Sequence, residues 1–397
     1  MSDSGTLKLF GTGEAQQAPS LHQHKATGII PYQGLKALVA EKMIDALPRI
    51  EDDQLQPASL DLRLGARAYR VRASFLPGPQ AAVMDKVRQL DGLPAISLAQ
   101  ENGVVFEKGA VYVVELAESV RLTGDYIGFA NPKSSTGRLD VLTRLITDRA
   151  TAFDRVEKGY KGPLYLEVVP LTFSIVVRQG TRLNQLRLQR GSSAVTPSEV
   201  QRLYDGGQLV KADGLAPLRD GLVPLTVNLK GEPGEIIGFR AKKNSSKVDL
   251  ANIGHYDPRE FWEPIEATDG LLNLDRNDFY ILATREEVGV PPNLAAEMVA
   301  FDAASGEFRV HYAGFFDPGF GWHGSDGAGR AGGSKAVLEV RSYGVSFTLE
   351  HGQIVGWLDY KQLATGQTQM RYGEGIKSNY QGQSVALAKH FRKWAGR

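Results

Sequence analysis

The spacing of apolar residues changes along the chain, and the change separates its elements. From Gln33 to Leu47 the residues Leu35, Leu38, Val39, Met43 and Ile44 recur at helical spacing until Pro48, which predicts a helix with one face on a core. After Gln54 the apolar runs shorten and are parted by Gly, Pro and Asp: Ser59 to Leu64, Ala68 to Val71, Val104 to Phe106, Val111 to Leu116 and Tyr126 to Ala130. Their lengths, and the alternation in Val111-Tyr112-Val113-Val114-Glu115-Leu116, predict strands of a sandwich or barrel. Leu164 to Val169, Ser174 to Val177 and Leu183 to Leu188 read the same way. Glu167 interrupts the first of these runs, and a carboxylate in a buried strand is costly unless it is paired or working. Thr196-Pro197-Ser198-Glu199 has the form of a capping box with proline at the first helical position, so a short helix is expected to about Tyr204.

The second half replays the first. Ser245 to Leu250 echoes Ala58 to Leu62, and Phe279 to Ala283 echoes Val111 to Glu115. Phe316 to Gly321, followed by Ala336 to Val340, echoes Phe153-Asp154, Gly159 to Gly162 and Tyr165 to Val168. Two copies of one β domain account for this economically, and 397 residues suit two cores better than one. The expected organisation is a flexible arm over residues 1–28, a first domain over 29–190 and a linker with a short helix over 191–221. A second domain then covers 222–371, and a closing segment covers 372–397, with a basic helix from Val385 to Trp394.

Composition narrows the function. A formal net charge of +1 gives no one-signed field for coating DNA or anionic lipid. With no cysteine there can be no disulfide and no thiolate metal site. Met1 to Ala26 lacks the apolar core of a signal peptide, and no run is long enough to span a membrane as a helix, so a cytoplasmic protein is expected.

The densest chemistry lies in Lys133-Ser134-Ser135-Thr136-Gly137-Arg138, which combines a point charge, hydroxyl donors, room for close approach and a planar guanidinium fork. The Gly and Gly-Lys spacing of a P-loop is missing, and on spacing alone a phosphate site and a plain polar turn stand level. Taken with Gln56-Pro57-Ala58-Ser59-Leu60-Asp61-Leu62-Arg63-Leu64-Gly65, however, the stretch resembles the dCTP deaminase branch of the trimeric dUTPase-like superfamily.

The resemblance implies a mainly β fold: two tandem dUTPase-like β-barrel or sandwich domains with a few short helices, in a homo-oligomer of trimeric or pseudo-trimeric rings. It implies dCTP as the small-molecule partner, with no nucleic acid and no membrane. Lys133 and Ser135 would hold the triphosphate, while Ser134 and Arg138 would line the active site. Where the first copy carries this motif the second has Asp302-Ala303-Ala304-Ser305-Gly306-Glu307, whose carboxylates would repel a triphosphate. Conversely, Ala313 to Phe320 matches the family's substrate hairpin, whereas the first copy departs from it by an insertion around Asp154. Because each site in that family lies between neighbouring subunits, the tandem is expected to form a composite site: phosphates on the first domain, sugar and base on the second, with Asp317 and Val337 as substrate contacts. Tyr372, Lys377 and Gln383 resemble the family's nucleotide-closing tail.

Deamination at C4 of cytosine needs an activated water and a group that carries its proton to N3 and then to departing ammonia. Zinc deaminases use a His/Cys site with a separate Glu; here there is no Cys and the seven His are scattered. A zinc-free route relies on a carboxylate with a raised pKa, help typically worth about 10² to 10⁴ in rate. Glu339 and Glu167 both hold the Leu-Glu position where the family keeps its catalytic Glu, with Glu339 placed first because it follows the better-preserved hairpin. On the residues alone, a strand-edge Glu reaching solvent competes with this reading. Mg²⁺ would travel with the triphosphate, held mainly by phosphate oxygens, and no zinc is expected. A dUTPase, an enzyme carrying out both steps, and a catalytically silent nucleotide sensor are the alternatives.

Overall fold

The structure, a computed structural model, describes residues 26–300, 308–310, 314–324, 329–374, 382 and 384–395. Its first half wraps a sheet in the order Val141–Thr147, Lys161–Pro170, Val111–Arg121, Leu60–Val71, Arg182–Arg190, Tyr126–Pro132 and Arg155–Val156. The alternation read from the sequence becomes alternate burial along Tyr126–Pro132 and Val111–Arg121, because successive side chains face opposite sides of a strand. The second half repeats the plan with Trp262–Glu266, Ile236–Ala241, Phe279–Val288, Lys335–Ser342 and Phe308–Val310 in one sheet. Val223–Thr226, Ile354–Gln362, Leu294–Ala300 and Phe315–Phe316 form the other.

Register shows how close the two copies are. Val113 pairs with Tyr69 on one side and Glu167 on the other; Ile281 pairs with Phe239 and Glu339 in the same way. Glu167 and Glu339 are therefore equivalent positions of one three-strand pattern.

Three expectations are corrected. The helix predicted over Gln33 to Leu47 spans only Tyr32–Ala40: Lys42 turns the chain at φ 55, and Ile44–Ala46 leaves to pair with Glu118 to Val120 as a short strand. Val248–Asp249 is not the counterpart of the Leu60 stretch. It pairs in parallel with Ile175 and Val176 of the first domain, and Val223–Thr226 takes the place beside the closing strand that Leu60 to Arg63 take in the first copy. The basic helix expected from Val385 to Trp394 is absent from 384–395, which run as an extended strap. Tertiary contacts override helical propensity there. The His255 and Gly254 N–H groups donate to the His390 and Lys389 carbonyls at 2.9 Å, and Phe391 packs its ring 5.2 Å from Phe261.

The helix expected after Thr196 forms as Pro197–Asp205, with Thr196 Oγ1 accepting from the Glu199 N–H at 3.3 Å. Further along the 191–221 linker, Val210–Lys211 joins the second sheet through Val288 and Glu287.

The second repeat has a core of its own, and one of its faces joins the core of the first. Phe239, Trp262, Phe279, Ile281 and Val337 of the second pack against the first, with Phe173 edge-on to Phe261 and Trp262. Charged clamps flank this contact. The Arg341 guanidinium pairs with fully buried Asp140 and donates to Thr172 Oγ1 at 2.8 Å, and Thr172 Oγ1 in turn donates to Asp140 at 2.6 Å. Breaking a buried pair strands the remaining charge, so Arg341→Met is expected to cost about 3–5 kcal/mol, read as a lower urea midpoint at pH 7.

The first repeat has a matching face, built from Tyr69, Val71, Val113 and Tyr165, but a different cover. The segment after Leu60–Val71 forms the helix Val83–Gln89, and Val83, Val87, Phe75 and Leu76 seal that face. A stretch of the chain's own sequence lies where, in the other repeat, a whole domain sits.

Candidate active site

A cavity of about 910 Å³ opens at the junction of the repeats, and its walls come from segments hundreds of residues apart. The first repeat contributes Lys133, Ser134, Ser135 and Arg138, on the turn and short helix between Tyr126–Pro132 and Val141–Thr147. The second contributes the hairpin residues Phe316 and Asp317, and Val337 and Glu339 from the strand Lys335–Ser342. Tyr372 closes one side: its N–H donates to the Pro318 carbonyl at 2.8 Å and its ring lies 5.4 Å from Phe320. Residues of both repeats thus line one cavity within a single chain. Lys377 and Gln383 lie outside the described residues.

The acid–base properties follow from where these groups sit. Glu339 is only 5 % exposed, and burial in an apolar strand pushes its pKa up to about 8, against the Arg138 guanidinium, which favours the charged form. It is poised to gain and lose a proton near neutrality. Asp317 is also held above the usual carboxylate range by burial, opposed chiefly by Arg187. Arg187, wholly buried, reaches across from the first repeat. It donates to the Ala296 carbonyl at 3.1 Å, lies 3.3 Å from the Asp317 carboxylate and stacks over Phe315 at 4.0 Å. Lys133 is tied to Asp61, and Arg138 donates to the Ala386 carbonyl of the strap at 3.0 Å.

Glu167 does not reach this cavity. Its carboxylate is fully buried and accepts from Arg144 Nε at 2.8 Å, while the same guanidinium donates to Ser74 Oγ at 2.6 Å and stacks over Phe153 at 3.9 Å. An arginine in contact ties such a carboxylate into an ion pair and occupies the space a substrate would need. Asp154 stands at φ 58 and accepts from the Leu145 N–H at 2.7 Å; burial raises its pKa to about 7, but it too lies outside the cavity wall. The insert after Phe320 forms a small hairpin in which Trp322 and His323 pair with Ala331 and Arg330.

Reading from sequence missed several wall residues. Gln56 and Asp61 lay in a stretch noted for its resemblance but received no role; Arg182, Gln185 and Lys389 are isolated polar residues that no spacing rule singles out.

Residues 26–192 match the family of the 2'-deoxycytidine 5'-triphosphate deaminase (DCD) N-terminal domain, and residues 196–391 that of its C-terminal domain. A crystal structure of 2'-deoxycytidine 5'-triphosphate deaminase from Agrobacterium tumefaciens is 49 % identical, with a TM-score of 0.78, and the match covers 85 % of this chain and 100 % of that one. A dCTP deaminase from Halorubrum lacusprofundi is 30 % identical over 189 residues, 47 % of this chain and 85 % of that protein. A "dCTP deaminase, dUMP-forming" from Tropheryma whipplei is 29 % identical over 154 residues, 38 % of this chain and 72 % of that protein.

Proposed function

This chain belongs to the dCTP deaminase family in its tandem two-domain form, and from that membership we infer that it hydrolyses the C4–N bond of dCTP, releasing ammonia and leaving dUTP. It is a nucleotide-metabolising enzyme. The observation that carries the residue-level reading is Glu339: one buried carboxylate, its pKa about 8, in a cavity shared with Ser134 and Arg138.

In the proposed mechanism Glu339 takes one proton from the attacking water and passes it to N3 as the tetrahedral centre forms at C4, then takes the second proton from the new C4 hydroxyl and delivers it to the leaving amine as the C4–N bond breaks and the C4 carbonyl forms. Ser134 and Arg138 hold the water and the phosphates, Lys133 and Ser135 grip the triphosphate, and Asp317 with Val337 receives sugar and base. Tyr372, Lys377 and Gln383 complete the closing tail of this proposal. Mg²⁺ would arrive on the triphosphate.

Product analysis tests the activity: ammonia with dUTP from dCTP supports it, pyrophosphate with dUMP adds a second step, and binding without ammonia removes catalysis. A second consequence concerns stoichiometry. With the first repeat's face sealed and Glu167 held by Arg144, each chain is expected to bind one dCTP; titration of Glu339→Gln with dCTP reads the number, and a value of two would restore a role to the first hairpin.

The repeats already meet head to tail within the chain, so a homo-oligomer of trimeric or pseudo-trimeric form would be built through surfaces other than that sealed face; light scattering gives the mass. Among the described residues no helix is long and apolar enough to cross a membrane, and the cytoplasm is the location proposed for an enzyme acting on a free nucleotide.

A further inference from the structure

The C-terminal strap contributes a cation that the phosphate motif does not contain. Lys389 lines the cavity, half-buried, between Ala388 and His390, which are 1 % and 3 % exposed. Its backbone is pinned, with the Gly254 N–H donating to its carbonyl at 2.9 Å and the next two residues pairing with His255 and Tyr256. It is therefore presented by a fixed segment. Nearby charges sort into pairs: Asp61 with Lys133, Asp53 with Arg182 at 2.8 Å. For Lys389, no carboxylate of the described residues stands within ion-pair distance.

We propose that Lys389 is a substrate-binding residue that neutralises the triphosphate of dCTP together with Lys133 and Arg182. The inference rests on the dCTP deaminase reading above and extends it to a residue outside the Lys133–Arg138 motif and outside the Tyr372–Gln383 tail. Its physical basis is an uncompensated charge. Burial, then the neighbouring charges of Lys133 and Arg182, push the lysine's pKa down, with only Asp61 opposing them. Lys133 and Arg182 each already hold a carboxylate, so Lys389 is the cation of the three with none at hand among the described residues, and an entering polyanion gains most from it. A lysine reaching out to water would not be held against the cavity wall between two buried neighbours. The strap also supplies the Ala386 carbonyl that Arg138 grips, so the same segment serves both the phosphate end and the catalytic end of the site.

The test is Lys389→Met, which keeps the aliphatic stem and removes the charge, with Lys389→Arg as the conservative control. Steady-state deamination of dCTP is measured beside calorimetric titration with dCTP, dCMP and inorganic triphosphate. The expected result is a KM and Kd for dCTP raised about tenfold or more, as for loss of one charge-assisted contact. The kcat should stay within about twofold, inorganic triphosphate should weaken in parallel, dCMP should be unaffected, and the arginine variant should recover most of the loss. A Kd for dCTP equal to wild type, or equal losses for dCTP and dCMP, would overturn the proposal. Wild-type protein that binds dCTP but releases no ammonia would strike the deaminase reading instead, and the titrations would still decide the role of Lys389.

Discussion

Glu339→Gln is expected to abolish ammonia release from dCTP while dCTP still binds. Glutamine keeps the shape and burial of the side chain and can donate and accept hydrogen bonds, but it cannot take a proton from water and hand it on. Removing a positioned acid–base group costs about 10² to 10⁴ in rate, with the loss falling on kcat rather than on affinity. The same group sets two pH signatures. If the charged form of Glu339 must accept the water's proton, wild-type kcat/KM rises with pH towards a plateau above its pKa of about 8. Stability runs the other way. The folded pKa lies above the ordinary glutamate value of 4.5, so between about 4.5 and 8 the native state binds more protons than the unfolded chain, and stability falls as pH rises through that window. Glutamine does not titrate, so the melting temperature of the variant should gain on wild type from pH 5 to pH 9. Full activity in Glu339→Gln would move the chemistry elsewhere, and Glu167, clamped by Arg144, is badly placed to receive it.

Arg138→Met is the second variant with a large expected effect, a loss of about 10² to 10³ in kcat, comparable with removal of a preorganised donor from a water-excluded site. Arg138 is 3 % exposed, it is fixed by the Ala386 carbonyl at 3.0 Å, and it is the main charge holding the pKa of Glu339 down. Its removal should therefore also move the rising limb of the pH profile to higher pH. A drop in kcat without that displacement would mean that the guanidinium serves the substrate alone and does not tune the glutamate. Loss of kcat with unchanged melting behaviour separates both outcomes from a collapse of the short helix that carries it.

The two copies have parted roles by small changes at equivalent positions. In the second repeat the strand glutamate faces a cavity; in the first it faces Arg144 and lies beneath the Val83–Gln89 cover. That helix has two consequences. It closes the surface through which a further repeat would dock, and it leaves the first repeat's glutamate as one half of a structural ion pair.

Much of this was legible beforehand. The alternation of Val111 to Leu116 set a strand, the internal echoes set two copies of one fold, and the contrast between Lys133 to Arg138 and Asp302 to Glu307 set which copy carries the cationic motif, because strand period and local charge are properties of neighbouring residues. The pairing of Ser134 and Arg138 with Glu339 was anticipated by resemblance, not by spacing. The choice between Glu339 and Glu167 could not be read from Leu-Glu dipeptides that look alike; it depended on Arg144 from a neighbouring strand, held by Ser74 from the loop after Leu60–Val71. The strap defeated periodicity for the same reason: Ala388 and Phe391 fit a helix in isolation, yet the pocket formed by Tyr256, Phe261 and Trp262 takes them extended. Sequence determined the fold, the duplication and the ligand chemistry of each motif, since these depend on order along the chain. Tertiary structure alone decided which strand carboxylate faces the cavity and which distant cations line it, since burial and charge pairing are set by residues that meet only when the chain folds.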